Sequence, residues 1–324
     1  MSTAVIAALA GAARAAAHPG GLPGDCPDCR SPEAVVLADR DGGVVVRHGR
    51  AVAKAHAPGT DPVGHRVRLA VSGHPLLAGT LLPPLPPAGA PEAAGRPVTL
   101  WPYGVPVDPA DPGAAPWEAA AGLLARLHLT GPGALPGPLP PMRGPAKVAR
   151  ALTRMRAAPG APPAAVAAVE RAGALLPAWA RGESPAPPAG FLCHGDLHLG
   201  QLVRHPAPAG PWLLIDIDDL GLGDPAWDLA RPAAWFAAGL LAPEVWQRFL
   251  GAYTAARGPA VAAAGDPWER LDLPARALTV QTAALALARA AAEERAPDEV
   301  DGAVIDACAR IASLSGELAG GHPS

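Results

Sequence analysis

Two short apolar runs that each end on carboxylates interrupt the otherwise helical second half of the chain. Phe191-Leu192-Cys193 leads into His194-Gly195-Asp196, and Trp212-Leu213-Leu214-Ile215 leads into Asp216-Ile217-Asp218-Asp219. Gln201-Leu202-Val203-Arg204 reads as a further strand, and Pro206 to Pro211 turns the chain back. Carboxylates at the ends of buried strands cost free energy unless cations or hydrogen-bond donors satisfy them. One such aspartate is commonly a turn or capping residue. Two clusters, one of them carrying His194 and His198, point instead to a metal or catalytic site.

The rest of the chain supplies a frame for that pair. Its first residues are Ala-rich and apolar, but they lack a charged leader and carry Arg14 inside the run, so a first helix or a loosely held N-terminal segment is expected rather than a signal peptide. Ala34 to Ala38, Val44-Val45-Val46 and Ala51 to Ala55 read as three successive strands, with Asp39 to Gly43 and Gly49-Arg50 as turns and Lys54 inside the third strand. One short helix fits between residues 60 and 80. Val98 to Trp101 reads as one more strand, and Pro102 to Pro116 as a linker. Helices are then expected over 116–128, 144–157, 163–181, 225–241, 243–257, 274–292 and 298–318.

The fold class that follows is α+β. A small strand-rich N-terminal lobe covers residues 1–101, and a larger, mainly helical lobe covers 102–324.

Bulk properties narrow the function. With 324 residues, half of them hydrophobic and only 17% charged, the chain can bury a core of two lobes. The 42 prolines and 37 glycines are read as a compositional bias of the genome. A formal net charge of −3 offers no basic face, which argues against a nucleic-acid partner. No run approaches the twenty or so apolar residues of a membrane span. Four cysteines are too few for a disulfide framework, and a cytoplasmic location is expected. The Cys26-Pro27-Asp28-Cys29 spacing suits a redox dithiol or half of a zinc site. With Cys193 and Cys308 standing apart, a structural or incidental role is the expectation for the pair.

The two acidic clusters suit phosphoryl transfer. Asp216 and Gln201 are hard oxygen donors appropriate to Mg²⁺, whereas zinc would need more histidine or cysteine convergence there. A Mg²⁺ site beside a carboxylate that accepts a hydroxyl proton is the working core of a kinase.

At this point the sequence resembles a known family. His194-Gly195-Asp196-Leu197-His198-Leu199-Gly200-Gln201 is similar to the H-G-D-x-H-x-x-N signature of aminoglycoside phosphotransferases, relatives of the protein kinases. Ile215-Asp216-Ile217-Asp218 and Gly223-Asp224-Pro225-Ala226-Trp227-Asp228-Leu229-Ala230 resemble that family's second block. Leu123 to His128 is similar to its L-x-x-L-H segment, and Val52-Ala53-Lys54 to its third-strand lysine.

The resemblance implies a bilobal protein-kinase-like fold, with ATP and Mg²⁺ as cofactors and a small hydroxylated molecule as acceptor. It makes Asp196 the catalytic carboxylate, with His194 and His198 shaping its loop. Gln201 and Asp216 hold Mg²⁺, and Asp218 is a metal-facing or supporting acid. Lys54 neutralises the nucleotide phosphates, while Trp101 to Gly104, Tyr103 included, form the hinge whose backbone meets adenine. Asp228 fixes the catalytic loop.

Two departures stand out. Gln201 replaces the usual Asn, as in branches resembling maltokinases and glucosamine kinases. The segment that should carry the lysine's acidic partner offers only Asp61, at its start. An aminoglycoside-like antibiotic, a sugar or an amino sugar is the expected acceptor, for a monomer or homodimer. A metal-dependent phosphohydrolase and an inactive nucleotide-binding homologue are the rival readings.

Overall fold

The computed structural model describes residues 3–20, 29, 35–40, 42–86 and 92–320, with side chains as far as residue 313. Ala34, Cys26 and Asp41, which the sequence places in a strand, the cysteine pair and a turn, lie outside the described residues. The chain begins with α1 (Thr3–Ala17), β1 (Val35–Arg40), β2 (Gly43–His48), β3 (Ala51–His56), α2 (Pro62–Ser72), β4 (Glu92–Ala93), β5 (Arg96–Pro102) and β6 (Val105–Pro106). It continues through α3 (Trp117–Leu129), α4 (Gly144–Ala157) and α5 (Pro163–Ala174). Four short strands follow: β7 (Phe191–Cys193), β8 (Leu202–Arg204), β9 (Trp212–Leu214) and β10 (Gly221–Gly223). The last helices are α6 (Ala230–Ala237), α7 (Pro243–Ala255), α8 (Trp268–Ala292) and α9 (Glu299–Gly320).

These elements form two compact units, and the division is not a single cut after residue 101. The first unit takes Met1–Ala115, Gly133–Leu139 and Gly200–Asp218, and the second takes the remainder. Residues 200–218 join the first unit through hydrogen bonding. β8 pairs with β6 in the register Val105↔Arg204 and with β9 in the register Val203↔Leu213. Leu82 N–H donates to Leu214 O, and Leu214 N–H donates to Thr80 O.

In the first unit the strands form an antiparallel sheet of order β1-β2-β3-β5-β4. Alternation along β2 buries Val44 and Val46, and in β3 Ala53 and Ala55 face the same core. The buried residues of α1, Val5, Leu9, Ala13 and Ala17, recur every four positions, so one helical stripe lies on that sheet face beside Val98 and Leu100. The expected first helix is therefore a core element. Asp61 caps α2 by accepting from Val63 N–H at 3.0 Å and Gly64 N–H at 2.9 Å.

The second unit is built around α8, whose long buried face packs with α4, α5 and α9 through Val148, Leu152, Val169, Val280, Leu287 and Val304. Three helix boundaries differ from the periodicity. Residues 225–241 are not one helix: Asp224 caps a tight turn at Pro225–Trp227, Asp228 turns its side chain elsewhere, and α6 starts only at Ala230. It ends before Gly239, whose φ is +78°. α5 stops at Ala174, ahead of Pro177, which cannot continue the hydrogen-bond ladder. α8 begins six residues before Pro274, because Asp266 accepts from Trp268 N–H at 2.9 Å and starts the helix there. Among the described residues no helix is long and apolar enough to cross a membrane.

Candidate active site

Each unit assembles its own set of charged groups. In the first unit Lys54 projects from β3, and its ammonium lies 2.7 Å from Asp216 Oδ1 and 2.9 Å from Asp218 Oδ2. Burial works against the charge on Lys54, but the two carboxylates outweigh it and raise its pKa. Asp218 is fully engaged, since its other oxygen meets His56 Nδ1 at 2.8 Å. Burial alone would raise the Asp218 carboxyl, yet His56 and Lys54 hold it well below the usual carboxylate range.

The supporting chain runs further inward. Thr99 Oγ1 lies 2.7 Å from His56 Nε2 and accepts from Trp101 Nε1–H at 2.8 Å. Donors and acceptors match along it when Thr99 O–H points at His56 Nε2 and His56 Nδ1–H at Asp218. These contacts answer the question of the missing helix acid. The lysine's partners come from the turn after β9, and α2 contributes the buried His65, its ring 4.2 Å from that of His56.

Asp216 differs from Asp218. It stands at φ +63°, a left-handed conformation that aspartate tolerates better than most side chains. Its side chain is 34% exposed, and only Oδ1 carries hydrogen bonds among the described residues. Ile215 N–H donates to Gln201 O at 2.9 Å, so Gln201 and Asp216 sit on neighbouring strand ends.

The expected hinge residues are in the first unit too, and Tyr103 has its backbone groups already committed. Tyr103 N–H donates to Arg50 O at 2.8 Å, and its carbonyl lies 3.1 Å from His205 Nδ1. Its ring lies under the Arg47 guanidinium at 3.6 Å. Trp101 is buried, with its indole in the Thr99 chain. Gly104 allows close approach, because a Cβ there would lie 2.5 Å from Val203 Cγ2.

In the second unit, Asp196 follows Gly195 on the loop after β7. Gly195 has φ +83°, and a Cβ on it would lie 2.4 Å from Asp219 O, so only glycine fits. The loop is pinned by buried Asp228, which accepts from His194 N–H at 2.6 Å and Gly195 N–H at 2.7 Å. Asp228 also meets His128 Nε2 at 2.9 Å, and His128 Nδ1 lies 2.7 Å from Tyr253 Oη, which accepts from Ala260 N–H. The sequence expectation that Asp228 fixes this loop matches these bonds. His128, from the Leu123–His128 segment, is its buffer against the surrounding apolar core.

Asp196 is half-buried, with Lys147 of α4 2.9 Å from Oδ2 and Arg231 of α6 donating to Oδ1 at 2.8 Å. Burial would raise its carboxyl, but Lys147 and Arg231, with His198 nearby, hold it well below the usual carboxylate range. Lys147 also pairs with Asp219, and Arg143 donates to Asp219 at 2.7 Å. Asp196, Lys147 and Arg231 line an open cavity together with Trp227, Leu278 and Gln281. Sequence reasoning missed Lys147 and Arg231. Lys147 lies inside a helix with three arginines and carries no motif, although Arg231 directly follows the D-L-A block.

Comparison with known proteins supplies the wider context. Residues 47–274 match the family model described as the phosphotransferase enzyme family. No curated protein matches the chain in a sequence search. Among solved structures, a choline/ethanolamine kinase family protein from Mesorhizobium loti superimposes with a TM-score of 0.55 at 17% identity, covering 93% of each chain. A thermostable mutant of the aminoglycoside phosphotransferase APH(4)-Ia, in a ternary complex with AMP-PNP and hygromycin B, gives 0.57 at 15% identity over 88% of this chain and 94% of that one. Choline kinase LicA from Streptococcus pneumoniae gives 0.53 at 13% identity, over 87% and 95%. The fold is therefore protein-kinase-like, as the sequence motifs imply.

Proposed function

The chain belongs to the phosphotransferase enzyme family and transfers phosphate to an alcohol group of a small molecule; on that premise we propose that it uses ATP and Mg²⁺ to phosphorylate a neutral, sugar-like acceptor at Asp196. The observation that carries this reading is the Asp196 carboxylate, paired with Lys147 and Arg231 and lining an open cavity on a loop that Asp228 fixes.

The division of labour follows from the residues. Lys54, held by Asp216 and Asp218, supplies the cation for the nucleotide phosphates. Asp216, whose Oδ2 makes no hydrogen bond among the described residues, and Gln201 with its amide oxygen bring hard oxygen donors to neighbouring strand ends, a donor chemistry that fits Mg²⁺. Those two residues would hold the ion, which when bound neutralises charge on the transferring phosphoryl group. Asp218, with both oxygens taken by Lys54 and His56, is assigned to positioning the lysine. Tyr103 has both backbone groups engaged, so adenine recognition is assigned to the other hinge positions.

Asp196 orients the acceptor hydroxyl and receives its proton. A carboxylate held this firmly in its ionised form is a weak base, which suits a loose transition state that needs alignment more than early deprotonation.

The same geometry narrows the acceptor. Lys147 and Arg231 make the cavity cationic around Asp196, which disfavours a polycation. Three of the acids that could attract one are already paired: Asp219 with Arg143 and Lys147, Asp224 with Arg270, and Asp301 with Arg289 and Arg295. Trp227 offers an apolar face and Gln281 an amide, a combination suited to a sugar ring.

The test is an ATP-consumption screen over neutral sugars, amino sugars, aminoglycosides and choline, run with wild type and Asp196→Asn. We expect turnover with a neutral sugar, reduced at least about 10³-fold by the substitution while Mg-ATP still binds. Failure of wild type to bind Mg-ATP, or release of phosphate from an ester without ATP, would overturn the kinase assignment. Turnover confined to aminoglycosides would overturn the acceptor class alone.

A further inference from the structure

A second cluster lies in the first unit, at the far end of β2 from the Gly43 turn. His18 directly follows α1, His48 ends β2, and Cys29 comes from the segment joining α1 to the sheet. Cys29 Sγ lies 3.3 Å from His18 Nε2 and 3.2 Å from His48 Nε2. Both imidazoles therefore aim the same ring nitrogen at one sulfur. Their centroids are 5.6 Å apart with planes at 76°, so the rings diverge from a shared focus rather than stack. All three donor atoms lie within 4.8 Å of one another, and all three residues are partly buried.

This is the spacing of ligands around a tetrahedral ion. Zinc bonds of about 2.3 Å to sulfur and about 2.0–2.1 Å to imidazole nitrogen place S and N about 3.5 Å apart across a tetrahedral angle. The observed separations lie within about 0.3 Å of that value. One thiolate with two imidazoles is a borderline-soft donor set that suits zinc and is wrong for Mg²⁺ or Ca²⁺. In the sequence, Cys29 closes a Cys-x₂-Cys pair, the spacing of zinc-chelating loops. Cys26 itself is outside the described residues.

We propose that His18, Cys29 and His48 bind a structural Zn²⁺ ion that ties the end of α1 to the sheet. The ion would join three pieces of chain: the helix that covers the sheet face, the connecting segment, and the β2 end that precedes the Gly49 turn. Its role is mechanical, and it is independent of the phosphoryl-transfer chemistry around Lys54 and Asp196. This reading replaces the incidental role that the isolated cysteine pair had suggested, because the histidines that complete it are eleven and nineteen residues away from Cys29 in sequence.

The test uses the full chain, stripped with a chelator and titrated with Zn²⁺ against a chromophoric competitor. One equivalent is expected to bind, and Co²⁺ in its place is expected to give the visible bands of a tetrahedral site with a thiolate charge-transfer band. Cys29→Ser and His48→Ala should each lower zinc affinity at least about 100-fold, the loss expected of a deleted ligand. A wild-type measurement covers the case in which a variant does not fold. Zinc should slow alkylation of Cys29 at least about tenfold in a mass-spectrometric map, because the metal-bound thiolate is withheld from the reagent. Cys193 and Cys308 are buried with their thiols pushed up, Cys308 to about 12, and will not dominate that map. The proposal is overturned by absence of stoichiometric zinc, by a cobalt complex without the thiolate band, or by Cys29 alkylation that zinc leaves unchanged.

Discussion

Lys54 shows how much one side chain can depend on its partners. It is nearly enclosed and charged, and its stability in that state comes from two carboxylates 162 or more residues away in sequence. Replacing it by alanine leaves Asp216 and Asp218 facing each other without a cation. Fully buried, such a loss costs about 3–5 kcal/mol. Asp216 is a third exposed, so about 1–3 kcal/mol is expected for Lys54→Ala in a urea titration. The double variant Lys54→Ala/Asp218→Asn should recover part of that loss, because it removes one of the stranded charges. If the double variant is as unstable as the sum of its parts, the coupling described here is absent. Sequence alone could not assign this pair. The lysine's strand position was readable from Val52-Ala53-Lys54, but its partners are set by the pairing of β8 with β6 and β9, a long-range fact with no local signal.

At the scale of the element, the loop from His194 to Asp196 owes its shape to a buried relay spanning α3, α7 and the turn before α6. Ala260 N–H donates to Tyr253, Tyr253 O–H to His128 and His128 N–H to Asp228, while the two loop amides donate to the same Asp228 carboxylate from the other side. Tyr253→Phe strands His128 Nδ1 and Ala260 N–H, with an expected cost of about 1–3 kcal/mol. Asp228→Asn is the more damaging change, since an amide NH₂ group would face the loop donors. We expect kcat to fall at least about tenfold more in Asp228→Asn than in Tyr253→Phe, with a smaller change in the KM for ATP. Equal kcat values in the two variants would show that the loop does not depend on this anchor.

The relay was half legible. The H-G-D and D-L-A blocks, and the L-x-x-L-H segment, named His194, Asp228 and His128 from local pattern. Tyr253 carries no local signal, because nothing in a helical stripe distinguishes a hydroxyl that bonds inward from one in solvent, and Ala260 contributes only a backbone N–H. The same limit explains the helix boundaries: periodicity sees the apolar stripe through 225–241, but the capping bonds of Asp224 and the redirected Asp228 decide where α6 begins.

For the molecule as a whole, acid stability should fall in two stages. His65 is buried beside His56 and Lys54, and burial first, then those neighbours, lower its pKa to about 4. An unfolded histidine titrates near about 6.5, so the unfolded chain binds the extra proton between the two values. Stability contributed by the neutral ring is intact above about pH 6.5 and is lost as pH falls towards 4, by at most about 3 kcal/mol. Asp196, Asp218 and Asp228 are held below the usual range, so their share disappears only below about pH 4. Urea midpoints of wild type at pH 7 and pH 4.5 should differ, and His65→Gln should flatten that interval while leaving the steeper loss below pH 4.

The chain's return to its first unit at residues 200–218 carries a consequence for biosynthesis. The five-stranded sheet and α1 are complete within the first 102 residues, yet the strands that carry the partners of Lys54 emerge from a ribosome more than a hundred residues later. At about 5–20 residues per second, a nascent Lys54 waits about 8–30 s for Asp216. During that interval β6, which belongs to the separate β6-β8-β9 sheet, stands without its partner β8 and leaves the half-made chain with an open strand edge of the kind that chaperones shield.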